Sequence, residues 1–80
     1  MTKLEQKLIE LGYEQDSKYM YSKNLDRCYI LITIYGNLVV NYGLSSTDFF
    51  RDNDDINNLQ QAFNIMQKDL EELRKYEIRD

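Results

Sequence analysis

Hydrophobic and polar positions recur along this chain with two different periods, and the first period is helical. Leu4, Leu8 and Leu11 lie three and four residues apart and would share one face of a helix. Thr2 and Glu5 form a T-x-x-E pattern, in which each side chain accepts a hydrogen bond from the other residue's backbone N–H. Gly12 adopts positive φ readily and would end the helix. We therefore predict a helix over residues 3–11.

The middle of the chain has strand chemistry. "KYMYSK" (18–23) is rich in tyrosine, and "RCYILITIY" (27–35) is β-branched or aromatic almost throughout. "LVVNYG" (38–43) follows after a short turn. These segments predict three strands joined by a polar turn at 24–26 and a hairpin near Gly36.

The side-chain pattern also predicts the hairpin register, because a one-residue slip turns a strand over. A two-residue loop would place Ile32 opposite Asn41. A three-residue loop over 36–38 instead gives one apolar face with three pairs: Ile34–Val40, Ile32–Tyr42 and Ile30–Leu44. We favour the three-residue loop.

A second helix ends the chain. Its apolar stripe follows a 3-4-3-4-3 spacing, typical of an amphipathic helix: Ile56, Leu59, Phe63, Met66, Leu70 and Leu73. From about Asp54 to Tyr76 it would be roughly 35 Å long, against about 20 Å for a six-residue strand. We expect the first helix, or the same helix of a second copy, to cover the overhang.

These elements predict the fold class α+β and a single domain over residues 1–80. The order is α-β-β-β-α, a three-stranded antiparallel meander with both helices packed on one face. With 42% hydrophobic and 30% charged residues, the composition is that of a globular domain.

Composition also narrows the function. The chain has no histidine, which is the commonest general base and transition-metal ligand, so we expect no enzyme, metal or cofactor. No run of 18 apolar residues suggests a membrane span, and the first residues do not resemble a signal peptide. A single cysteine, Cys28, excludes an internal disulfide and favours a reducing, cytoplasmic setting.

The net charge of −4 comes entirely from the second half of the chain. Residues 1–40 hold five acids and five bases, whereas residues 41–80 hold nine acids and five bases. Phosphate neutralisation supplies most of the affinity of a nucleic-acid-binding protein. The charge distribution therefore argues against direct binding of DNA or RNA.

The acidic stretch "STDFFRDNDDINNLQ" (46–60) allows three interpretations. As a calcium loop it lacks the glycine and the third ligand that an EF-hand requires. As a helix start it has Asp52 or Asn53 as cap, with Asp54 and Asp55 in the first turn, where the helix dipole favours acids. Capping leaves Asp48 and the neighbouring aromatic Phe49 unexplained, and an aromatic ringed by carboxylates is typical of a protein-binding surface.

Two further surfaces are candidates for the same role. Tyr29 and Tyr35 lie on predicted strands, where an exposed aromatic face could bind a partner, although half-buried sheets favour tyrosine anyway. Asn57 and Gln61 belong to an amide-rich helix face, which either meets solvent or forms an interface.

The ends of the chain, "LEQKLIELGYE" and "INNLQQAFNIMQKDLEELRKYE", resemble small uncharacterised proteins of phages and prophages of AT-rich Gram-positive bacteria. Size, acidity and element order are loosely similar to some anti-CRISPR proteins, which occupy the nucleic-acid-binding surface of a CRISPR effector. The element order is also that of double-stranded-RNA-binding domains. Those domains need lysines at the start of the last helix, where this chain has "DNDDINN".

The resemblance and the charge pattern together give our first hypothesis. The protein would be a phage-encoded inhibitor that binds a basic surface of a host protein or ribonucleoprotein complex. The expected contact residues are Asp48, Phe49, Asp52, Asp54, Asp55, Tyr29, Tyr35, Asn57 and Gln61. The alternative is a small phage accessory protein that forms a homodimer through its last helix.

Overall fold

A computed structural model describes residues 2–46 and 53–77 of the chain, without the side chains of residues 53 and 55. Two helices pack on one face of a single antiparallel sheet, whose strand order is β1-β2-β3-β4. The elements are α1 (Lys3–Glu10), β1 (Glu14–Gln15), β2 (Met20–Asn24), β3 (Cys28–Tyr35), β4 (Leu38–Ser46) and α2 (Asn53–Arg74). The predicted α+β class and helix–sheet order are confirmed, but the expected three strands are wrong, because the sheet has four.

The first helix begins and ends as its sequence signals indicate. The Thr2 hydroxyl accepts a hydrogen bond from the Glu5 amide at 3.1 Å, and the Glu5 carboxylate accepts one from the Thr2 amide at 3.2 Å. This capping box is confirmed. Leu11 caps the other end, so the helix is one residue shorter than predicted, and Gly12 follows with φ of +97°.

The additional strand, β1, is only two residues long. It pairs Glu14 with Ser22 and Gln15 with Tyr21 on β2. Two residues are too few to show an alternating pattern, so no sequence signal predicts them. The strand forms because the Gly12 turn directs the chain back along β2.

The β3–β4 hairpin corrects the predicted loop. Tyr35 pairs with Leu38, which leaves a two-residue turn in which Gly36 has φ of +60°. Ile34 pairs with Val39 and not with Val40, and a bulge between Thr33 and Ile34 then shifts the register by one residue. The other two predicted pairs, Ile32–Tyr42 and Ile30–Leu44, are confirmed. The extra residue thus lies in a bulge and not in the loop.

The hydrophobic core lies between the two helices and one face of the sheet, as predicted. Alternate β3 residues point into it, and both helices contribute leucines to the same cluster. Its members are Leu4, Leu8, Tyr13, Tyr21, Ile30, Ile32, Ile34, Met66, Leu70 and Leu73.

Only the C-terminal half of the predicted α2 stripe is buried. Met66, Leu70 and Leu73 are at most 3% exposed, whereas Ile56 is 58% and Phe63 is 45% exposed. Asp69, on the opposite flank of the helix, contacts residues of the β1–β2 side. Ile56 and Phe63 therefore lie on the flank above edge strand β4, and α1 does not cover them.

Candidate protein-binding site

A tight turn between β2 and β3 carries an acidic residue towards α2. The Leu25 amide donates a hydrogen bond to the Cys28 carbonyl at 2.8 Å, which closes the turn. Arg27 adopts φ of +67°, an unusual conformation for a residue with a side chain. As a result Leu25 is half-buried against α2, and Asp26 is exposed beside it.

A groove of about 130 Å³ separates this turn from α2. We call its apolar lining residues, Leu25, Ala62 and Ile65, the floor and its polar ones the rim; Ala62 is buried and Ile65 is 38% exposed. Its rim is polar and able to accept hydrogen bonds. The lining residues are Leu25, Asp26, Asn58, Gln61, Ala62 and Ile65.

The helical repeat places one more carboxylate on the same flank of α2. Asp54, Asn58, Gln61 and Ile65 are separated by four, three and four residues, so they follow one face of the helix. Asp54 is exposed in the first turn and lies about 6 Å along the axis from Asn58. Asp54 therefore lies on the same helix face as Asn58 and Gln61, whereas Asp26 lines the groove itself.

Neither of these aspartates forms an ion pair within the described part of the chain. Three ion pairs are found elsewhere: Lys7–Glu10 at 3.6 Å, Lys23–Asp69 at 3.0 Å and Lys75–Glu72 at 2.9 Å. They lie on α1, on β2 and along the C-terminal half of α2. Both Asp26 and Asp54 are exposed.

Asp26 also affects the single cysteine. Burial raises the pKa of the Cys28 thiol, and the Asp26 carboxylate raises it further. Cys28 is 5% exposed. A buried thiol with a raised pKa has little nucleophilic character, so the structure favours a packing role for Cys28.

A second polar cluster, around Asp69 of α2, serves structure. Asp69 is the one charged residue that is buried among those described. It accepts hydrogen bonds from the Tyr13 hydroxyl at 2.9 Å and from the Lys23 ammonium at 3.0 Å. Burial and the Asp69 carboxylate raise the pKa of Tyr13 well above its usual range, so the phenol remains a donor. We call Asp69, Tyr13 and Lys23 the buried latch, which ties α2 to β1 and β2.

The structure brings only part of the predicted contact set together. Asp54 and Gln61 lie on the groove flank, whereas Asn57 is exposed on the outward side of α2. Asp48, Phe49 and Asp52, and the side chain of Asp55, lie outside the described residues. The sequence analysis missed Asp26 and Asn58, because only the fold places residues 26 and 58 side by side.

The predicted tyrosines lie on the opposite side of the molecule. Tyr29 and Tyr35 point away from the helices, on the outer face of the sheet. Tyr35 is 67% exposed, and its ring lies 5.5 Å from that of Tyr19. Within β2, β3 and β4 this outer face carries no charged side chain. It is a surface separate from the groove and cannot join it in one flat interface, and the Lys18 ammonium lies beside it, 5.3 Å from the Tyr19 ring.

Two further grooves between described residues measure about 270 Å³ near Tyr19 and about 250 Å³ near Tyr76. Sites for small molecules usually enclose 300–1,000 Å³. Residues 2–46 and 53–77 contain no cluster of three metal-ligating side chains, and none of their helices is long and apolar enough to span a membrane.

Taken together, the described residues form a small α+β domain with a shallow acidic groove. Comparison with known proteins adds no identity: the chain matches no protein-family model, no curated protein and no solved structure.

Proposed function

We propose that this protein is a phage-encoded inhibitor that binds a basic surface of a host defence complex, in the manner of an anti-CRISPR protein. One observation supports the proposal most strongly. Asp26 lines the groove, Asp54 lies about one helical turn before Asn58 on the same face of α2, and neither forms an ion pair within the described residues. A negatively charged surface can occupy a basic binding groove in place of the phosphate backbone of a nucleic acid.

The physical basis is electrostatic attraction. Two opposite charges 4 Å apart attract by about 4 kcal/mol at an effective dielectric near 20, before desolvation costs. Complementary fields also raise the association rate at low salt. A few such pairs would allow an acidic protein to compete with RNA or DNA for the same groove.

Charge reversal at the groove tests this proposal. We expect the double variant Asp26→Lys/Asp54→Lys to lose inhibition at least about tenfold, which corresponds to about 1.4 kcal/mol. Inhibition is measured as protection of an infecting phage in strains that each carry one CRISPR effector, and then as block of target cleavage by the purified effector. Glu71→Lys is the matched control, because Glu71 is an exposed acid on the same helix but away from the groove.

The control should inhibit as well as the wild type. Equal inhibition by the double variant and the wild type would reject the acidic groove as the active surface. Failure of the wild type to protect in any strain would reject the CRISPR form of the proposal.

A homodimeric accessory protein is the second candidate, and the exposure of Ile56 and Phe63 favours it. Two large apolar side chains on one helix flank would gain from burial against a second copy, at about 25 cal/mol per Å². We expect Ile56→Ser/Phe63→Ser to convert a dimer into a monomer of unchanged fold, measured by light scattering and circular dichroism. A wild type that is monomeric at millimolar concentration would exclude this candidate.

A further inference from the structure

We infer that the groove between the β2–β3 turn and α2 binds an arginine side chain of the partner. This inference rests on the proposed function, since it assumes a basic protein surface opposite the groove. The recognised group is a guanidinium, and the groups that would receive it are the Asp26 carboxylate and the side-chain amides of Asn58 and Gln61.

The apolar floor suits the stem of a long basic side chain. Leu25, Ala62 and Ile65 form this floor, and Ile65 keeps 38% of its surface exposed. Arginine and lysine both bury their methylene groups along apolar surface while the charged head reaches a polar rim. A phosphate or a carboxylate would gain nothing from such a floor.

The rim distinguishes arginine from lysine. It has the Asp26 carboxylate on the turn and the side-chain amides of Asn58 and Gln61 on α2, and each amide has an oxygen that can accept a hydrogen bond. A guanidinium carries five N–H donors in a fixed plane, so it can donate to a carboxylate and to a second acceptor at once. A lysine ammonium acts as a compact point charge and would engage mainly the carboxylate.

Size and charge agree with a single inserted side chain. The groove of about 130 Å³ is well below the range of small-molecule sites. Asp54 lies about one helical turn before Asn58 on the same face of α2 and adds a negative charge on that face. The neighbouring Arg27 does not line the groove.

Nuclear magnetic resonance on the full-length, isotope-labelled protein can test the inference with defined probes. The probes are a nona-arginine peptide and, for comparison, a nona-lysine peptide at the same ionic strength. We expect nona-arginine to shift the Ile65 methyl groups and the side-chain amides of Asn58 and Gln61, and to bind tighter than nona-lysine.

Asp26→Asn is expected to weaken nona-arginine binding about fivefold, since it replaces a charge-assisted hydrogen bond with a neutral one. Asp16→Asn is the matched control, because Asp16 is an exposed aspartate outside the groove and should bind as the wild type does. The inference is overturned if both peptides bind equally, or if shifts spread over all acidic surfaces and spare Ile65.

The two proposals can fail separately. If the Asp26→Lys/Asp54→Lys variant loses inhibition but nona-arginine does not shift Ile65, the acidic surface is functional and the arginine groove is wrong. If nona-arginine binds in the groove but charge reversal leaves inhibition intact, the groove recognises arginine and the proposed inhibitory role is wrong.

Discussion

Leu70→Glu is expected to unfold the domain, even though Leu70 belongs to the stripe that the sequence offers for dimerisation. Its side chain is 2% exposed and packs in the cluster between α2 and the sheet. Losing a buried leucine costs about 2–5 kcal/mol, and an unpaired buried carboxylate costs several kcal/mol more. A domain of this length is stable by roughly 4–12 kcal/mol. Circular dichroism and urea unfolding would measure the loss.

Phe63→Glu is the matched control on the same stripe. Phe63 is 45% exposed above β4, so the glutamate stays in water, and we expect a change within about 1 kcal/mol. A Leu70→Glu protein that remains folded and changes only its oligomeric state would show that Leu70 does not belong to the hydrophobic core of the single chain.

Asp69→Ala is expected to cost about 3 kcal/mol in the free energy of unfolding. The substitution removes the acceptor of the Tyr13 hydroxyl and the counter-charge of Lys23, whose side chain is only 21% exposed. Breaking one side of a buried ion pair costs about 3–5 kcal/mol, and we expect the lower end because Lys23 keeps some contact with water. Urea unfolding would measure the change.

A double-mutant cycle with Tyr13→Phe separates the latch from simple packing. Tyr13→Phe alone should cost about 1 kcal/mol for the lost hydrogen bond. Combined with Asp69→Ala it should cost less than the sum of the two, since the same bond is removed twice. Glu71→Ala, an exposed acid on the same helix, should change stability by less than about 0.5 kcal/mol. Strict additivity in the cycle would show that the two groups act independently.

Local sequence patterns correctly predicted the features that are decided by residues close together in the chain. The capping box of Thr2 and Glu5 and the positive φ of Gly12 are decided within a few residues, and both were predicted correctly. The register from Ile30 to Ile32 followed from alternation. The bulge was missed because the extra residue of β4 can be placed either in the loop or in a bulge. Both arrangements give the same apolar pairs at Ile30 and Ile32.

Contacts between distant residues could not be predicted in the same way. Asp69 interrupts an apolar helix face, and its burial makes sense only once Tyr13 and Lys23 are known to reach it. Likewise, Asp26 stood in a predicted polar turn, with nothing in the sequence to place it beside Gln61. Half of the apolar stripe on α2 is exposed because edge strand β4 leaves its flank uncovered.

The buried latch joins residues that are far apart in the sequence, and this affects the order in which the chain folds. The bond between Tyr13 and Asp69 joins residues that are 56 positions apart. Neighbouring strands can pair early, because hairpins form within microseconds, whereas contacts across long loops form later. Until α2 has been synthesised and docks, the inner face of the sheet, with Tyr21 and Ile32, meets water. A nascent chain that lacks α2 therefore exposes apolar surface of the kind that makes folding intermediates prone to aggregate.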